Sequence, residues 1–256
     1  MSSLGKQVRL NRIFSHPSGR ILAVAVDHLI NYPVGMPDGL RQIGATIEQV
    51  VQGGPNSLTM NKGTAKRFMP AYAGRVPLIV QSMILRPDSP TYAATADVEE
   101  AVALGADAIA VSMFVKGKDE IQYMGHLAAV VGAAERYGLP VVPHIYPLSS
   151  GDEHYTITHA PEDVFYAVRV GLEMGADVIK VPYTGDVASF RDIVSVTPVP
   201  VVIAGGPKCD TLDDAVAMLR DVARSGAAGA TVGRNVWGFP DIPAAVRRLK
   251  AAVQES

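Results

Sequence analysis

The chain has 256 residues, 48% hydrophobic and 19% charged, with a formal net charge of −2. That balance can fill one large core and gives no electrostatic reason to bind nucleic acid or an anionic membrane. The lone cysteine, Cys209, excludes an internal disulfide and suits a reducing compartment. Residues 1–12 are polar and basic without a signal-peptide core, and no run of about 18 apolar residues occurs, so a cytoplasmic protein is expected.

Short apolar, β-branched runs recur at residues 21–27, 57–61, 77–83, 108–114, 140–146, 178–183, 200–206 and 228–234. Most are apolar on both faces, as in Val24-Ala25-Val26 and Val201-Val202-Ile203, which is how strands buried in a parallel sheet read. Amphipathic segments long enough for crossover helices separate them. Pro161-Glu162-Asp163 opens one such helix, with proline where its missing N–H does no harm. Thr211, followed by Leu212-Asp213-Asp214, is the N-cap of another. Gly105-Ala106-Asp107 and Gly175-Ala176-Asp177 each end a helix before a strand, Gly226-Ala227-Ala228 more loosely, and glycine there suits a left-handed cap. Alternation of this kind also fits an open doubly wound sheet. Eight units in a chain of about 250 residues, with no Gly-x-Gly-x-x-Gly after the first strand, point instead to one (β/α)₈ TIM barrel. It is expected to span residues 1–256 as a single domain, with residues 1–20 closing its bottom.

Barrel chemistry sits at the C-terminal ends of strands. The polar residues there are Asp27 and His28, Asn61 and Lys62, Gln81 and Ser82, Ser112, His144 and Tyr146, and Lys180 and Tyr183. Lys180 interrupts the apolar strand Val178-Ile179-Lys180-Val181 on the same face as Val178. It either snorkels to the rim or pairs with a carboxylate such as Asp27, or it is a buried amine whose pKa burial lowers, a nucleophile for carbonyls. Tyr146 is an ordinary strand-end tyrosine or, beside such an amine, a proton relay. Asp27 forms a structural ion pair, or holds the lysine and orients substrate. Strands 7 and 8 end in Ala204-Gly205-Gly206-Pro207-Lys208 and Gly233-Arg234-Asn235, where barrels often bind phosphate through backbone N–H groups. Arg234 adds a bidentate donor. The six histidines, His16, His28, His126, His144, His154 and His159, form no close ligand pair, so no metal or other cofactor is expected. His28 and His144 are read as substrate contacts. Cys209, Trp237 and the methionines read as packing residues, and the roles of Lys62, Lys116 and Lys208 stay open.

Residues Ile179-Lys180-Val181-Pro182-Tyr183-Thr184-Gly185-Asp186, then Val202 to Lys208, then Gly233 to Trp237, closely resemble the archaeal-type class I fructose-bisphosphate aldolase family. Val26-Asp27-His28 and Tyr146-Pro147 resemble its first- and fifth-strand motifs. The resemblance implies Lys180 as the Schiff-base lysine, Tyr146 as proton donor and acceptor, and Asp27 as an active-site carboxylate. Gly205, Gly206, Gly233 and Arg234 become the phosphate cradle, and a homo-oligomer, such as a decamer, is implied. The sequence departs from the family pattern at Leu29, at residues 30–39, at Leu148-Ser149 where arginine-glycine is usual, and at Pro182 where a second lysine is often found. The expected substrate is a phosphorylated ketose, fructose 1,6-bisphosphate or another sugar derived from dihydroxyacetone phosphate. Synthesis of an amino-dideoxy-heptulosonate, or thiolysis of a phosphorylated diketone as in the autoinducer-2 phosphate thiolase branch, are the alternatives.

Overall fold

Eight parallel strands close on themselves in the computed structural model, which describes residues 3–31, 35–86, 92–149 and 156–255. They are β1 (Ile21–Ala25), β2 (Ser57–Asn61), β3 (Leu78–Gln81), β4 (Ala108–Val115), β5 (Val141–Pro147), β6 (Ile179–Pro182), β7 (Val201–Ala204) and β8 (Gly229–Val232). The pairing of β8 with β1, from Ile21 opposite Gly229 to Val24 opposite Val232, seals the barrel and excludes the open sheet. Helices cross over between strands, and among the described residues none is long and apolar enough to cross a membrane.

Side chains alternate between two apolar layers, as the pleat of a strand requires. Ile21, Ala23, Ile79, Ala110, Val142 and Val202 fill the lower barrel, together with Val178 at the foot of β6. Their sequence neighbours Leu22, Val80, Val141, Ile179, Val181 and Ile203 face the helices in a separate, larger cluster. Continuing the inward parity up each strand arrives at Asp27, Gln81, Ser112, His144, Tyr146, Lys180 and Ala204. The upper barrel is therefore polar where the lower barrel is apolar.

Several strands stop short of their expected ends. The stretch 77–83 splits, because β3 ends at Gln81 while Met83–Ile84 pairs antiparallel with Ala93–Ala94 in a separate ribbon. At β1 the chain leaves the sheet after Ala25 and enters a four-residue helical turn at His28. Asp27, Ser82 and Tyr183 therefore stand just past their strands, whereas Ser112, Tyr146 and Lys180 lie within theirs.

At the opposite end the helix Leu4–Ile13 lies across the barrel, with Ile13 buried in the lower layer and Leu10 and Phe14 packed against it. The two Gly-Ala-Asp segments hold it there. Gly105 and Gly175 adopt left-handed φ of 73° and 84° and end their helices. Each following aspartate then caps a neighbouring strand: Asp107 accepts from the Leu78 N–H at 3.1 Å and Asp177 from the Val141 N–H at 2.9 Å. The same carboxylates meet the N-terminal helix, Asp107 through Arg12 at 3.2 Å and Asp177 through the buried Lys6 at 3.0 Å. Lys6 also pairs with Glu135, and the two acids outweigh burial and raise its pKa. Asp177→Ala strands both a backbone donor and part of a buried ammonium. The expected loss is about 2–3 kcal/mol of unfolding free energy, read from urea denaturation; an unchanged midpoint would refute this role for the aspartate.

Candidate active site

Two adjoining cavities open at the C-terminal ends of the strands, and Lys180, Tyr146, His28 and Ile157 line both. Lys180 stands at their junction because it is the inward residue above Val178. The first cavity adds Asp27, Gln81, Ser112, His144, Phe114 and Leu85. The second adds Ala204, Gly205, Gly206, Gly233, Arg234 and His159, among others. Every residue expected at the site thus borders one cavity or both.

The polar floor of the first cavity is a connected network. Lys180 is 6% exposed and its Nζ lies 3.4 Å from Nδ1 of His144, the residue opposite it in the β5–β6 register. Gln81 donates from Nε2 to Asp27 Oδ2 at 3.2 Å and to Ser112 Oγ at 3.0 Å. Asp27 Oδ1 faces His28 Nδ1 at 3.4 Å. Gln81 and Ser112 are thus site residues that their strand-end positions alone do not mark, although a glutamine after Leu78-Ile79-Val80 is as conspicuous as the lysine.

Burial drives the electrostatics. It pushes Lys180 down to about 8, against the opposing pull of the Asp27 charge. Burial alone would raise Asp27, but the hydrogen bond and charge of His28 and the charges of Lys180 and His144 hold it well below the usual carboxylate range. His144 falls well below the ordinary imidazole value through burial and the neighbouring ammonium. Near neutral pH the trio is therefore an ionised carboxylate, a neutral imidazole and an amine that loses its proton readily. Asp27 acts on Lys180 through its charge, while its direct contacts are with Gln81 and His28.

In the second cavity the glycines are demanded by close approach. A Cβ on Gly233 would lie 2.2 Å from His28 Cε1, and one on Gly205 would lie 2.8 Å from Val232 Cγ1. Gly206 takes a left-handed φ of 66°. The N–H of Gly205 is committed to the Thr231 carbonyl at 2.9 Å, so this residue opens space rather than offering a donor. Asn235, 1% exposed, staples the two loops together. Its Nδ2 donates to the Gly205 and Pro207 carbonyls at 2.8 and 3.0 Å, and its Oδ1 accepts from Cys209 N–H at 2.7 Å. Trp237 does more than pack: it donates to the Ala25 carbonyl at 3.0 Å and meets the His28 ring edge-on, with centroids 5.2 Å apart.

Other polar positions point elsewhere. Tyr183 buries its ring against Phe190 on the helical side, and Asp186 caps the helix Val187–Ser195. Lys62 pairs with Glu100 at 2.6 Å and Lys116 pairs with Asp163. Lys208 donates to the Cys209 carbonyl at 3.2 Å and sits 4.4 Å from the centroid of the Phe239 ring. Among the described residues no group of three or more His, Cys, Asp or Glu could hold a metal ion. His154 and residues 32–34 of the loop after β1 lie outside the described residues.

Residues 21–238 match the DeoC/LacD family aldolase description. The chain is 35% identical to the 2-amino-3,7-dideoxy-D-threo-hept-6-ulosonate synthase of Halobacterium salinarum, spanning 100% of this chain and 94% of that protein. It is 34% identical to the class 1 fructose-bisphosphate aldolase of Thermoproteus tenax, over 94% and 92% of the two chains. An archaeal fructose-1,6-bisphosphate aldolase, solved with its catalytic lysine covalently bound to a carbinolamine intermediate, superposes with a TM-score of 0.85 at 30% identity, covering 97% and 99% of the chains. The motif resemblance therefore extends over the whole barrel.

The charge balance has a measurable sign. Asp27 raises Lys180, so Asp27→Asn should move the amine below its value of about 8. An NMR titration of the isotopically dimethylated lysine would read the shift, and an upward or null displacement would refute the coupling.

Proposed function

The chain belongs to the DeoC/LacD aldolase family, and from that premise we propose that it makes and breaks a carbon–carbon bond in a phosphorylated ketose through an imine at Lys180. Its fold is that of the class I, Schiff-base aldolases. One observation carries the reading: a buried amine with a depressed pKa stands where a carboxylate-bearing cavity meets a glycine-lined one whose described lining holds no acid.

In the proposed cycle the neutral amine of Lys180 attacks the ketone carbon and the carbonyl oxygen takes up a proton, giving a carbinolamine. Tyr146 gives its phenolic proton to the carbinolamine hydroxyl, which leaves as water, so a protonated imine faces a phenolate and draws electrons from the adjacent C–C bond. Tyr146 takes the proton from the hydroxyl of the departing fragment, the bond breaks to release an aldehyde, and the electron pair stays on the lysine side as an enamine. Tyr146 then returns that proton to carbon, and water hydrolyses the imine. Asp27, held ionised chiefly by His28, stabilises the cationic imine; neutral His144 passes protons without adding charge. The phosphate of the ketone half is read into the second cavity, with Arg234 as its bidentate partner.

Fructose 1,6-bisphosphate is the first substrate to test. A second reading follows from the first cavity, the proposed aldehyde side. Its described lining holds Leu85, Phe114, Ser112 and Asn31, with no arginine and no lysine but Lys180. That lining suits an aldehyde without a second phosphate, and the relative from Halobacterium salinarum is named for synthesis of a dideoxy-heptulosonate. Under this reading a ketose 1-phosphate is cleaved with a kcat/KM at least equal to that of the bisphosphate.

Incubation with dihydroxyacetone phosphate followed by borohydride should leave a stable adduct on the peptide carrying Lys180, located by mass spectrometry. Active enzyme with that lysine unmodified would end the proposal. Tyr146→Phe should lower kcat by about 10²–10⁴-fold while the adduct still forms; retention of full turnover would remove the tyrosine from the proton path.

A further inference from the structure

A histidine that the sequence does not single out stands in the wall of the second cavity. His159 precedes the helix Pro161–Glu173 and borders the same space as Arg234, Gly206 and Lys180. The backbone before it is fastened to the end of β5. Leu148 bridges to Ile157, Ser149 N–H donates to the Thr156 carbonyl at 2.9 Å, and Thr158 N–H donates to the Pro147 carbonyl at 2.9 Å. Residues 156–158 are thus held against residues 147–149, and His159 follows them to the carbonyl of Tyr183.

The ring is fixed by its own contact. His159 Nδ1 lies 2.6 Å from the main-chain carbonyl oxygen of Tyr183, just after Lys180 on the same strand run. A carbonyl only accepts, so Nδ1 carries the hydrogen and Nε2 is left as the working atom. The described lining of this cavity contains no carboxylate; its nitrogen-bearing side chains are Lys180, Arg234, His28 and His159. Lys180 is consumed in the imine and His28 is turned toward Asp27. A phosphate dianion there would have Arg234 on one wall, with room for a second side-chain donor beside the glycine turns.

We infer that His159 is that donor, a substrate-binding residue that hydrogen-bonds a phosphate oxygen from Nε2 while Nδ1 stays on the Tyr183 carbonyl. The ring then carries a proton on each nitrogen and adds positive charge opposite the anion. This rests on the reading of the second cavity as the phosphate half. It also gives the fastened segment a purpose, since ordering the donor beforehand lowers the entropic cost of binding.

His159→Asn separates this role from a structural one. The asparagine amide can keep an N–H on the Tyr183 carbonyl but cannot reach as Nε2 does, whereas His159→Ala loses both. The probe is inorganic phosphate, titrated into the full-length protein by calorimetry, with steady-state kinetics on a phosphorylated ketose and its unphosphorylated counterpart. Expected is an affinity for phosphate about tenfold weaker in both variants. KM for the phosphorylated ketose should rise by a similar factor, with kcat within about twofold and the unphosphorylated ketose unaffected. Asparagine behaving as wild type while alanine fails would overturn the inference, leaving His159 as a prop for the strand 6 loop. A wild-type protein that does not bind phosphate would overturn it too. Borohydride trapping at Lys180 reports separately on the aldolase reading, so either idea can fail without the other.

Discussion

The structure turns on one amine kept out of water and one carboxylate kept ionised beside it. At about 8, the pKa of Lys180 leaves about a tenth of the amine neutral at pH 7, roughly 300-fold more than an ordinary lysine would have. Burial supplies that gain, and Asp27 limits it. The compromise suits imine chemistry, where the nitrogen must be neutral to attack and cationic afterwards. Burial by itself would favour the protonated form of Asp27, and the groups around it reverse that. Gln81 and His28 occupy the two carboxylate oxygens, and His144 stays neutral because it is buried beside the ammonium.

The second cavity depends on a different constraint, the exclusion of side chains. His28 fits only because position 233 has no Cβ, and the turn after β7 lies against Val232 only because position 205 has none. The resulting loops would be free to drift apart, yet Asn235, just after β8, holds the loop after β7 through three hydrogen bonds. The space facing Arg234 is therefore shaped by backbone, as recognition of a small anion requires. Trp237 extends the same arrangement to β1 by holding the Ala25 carbonyl and the His28 ring.

Legibility in the sequence varied with how local each cause was. Lys180 was visible because a charge inside an apolar strand is conspicuous wherever the strand lies. The Gly-Ala-Asp segments were visible as a repeat and their glycines as caps, but the aspartates bond to partners as distant as Leu78 and Lys6, which no local pattern announces. Asn235 looked like an ordinary polar residue after Arg234, because both loops it joins must be in place before its amide has anything to bind. His159 carried no signal at all, since its meaning comes from the Tyr183 carbonyl and from a cavity walled by strands far away in sequence.

The runs by themselves determined the eight-fold rhythm and put Asp27, His144, Tyr146 and Lys180 at strand ends, because an apolar β-branched run and the polar residue that ends it are local features of the chain. Because most runs are apolar on both faces, which face turns inward, and with it the apolar lower layer, came from the closed ring. Which of those side chains touch was decided only by closure. Joining β8 to β1 sets the stagger of neighbouring strands, and stagger places His144 level with Lys180 and the two glycine turns around one space. Distances between strand ends are a property of the closed ring, so no single strand could have specified them.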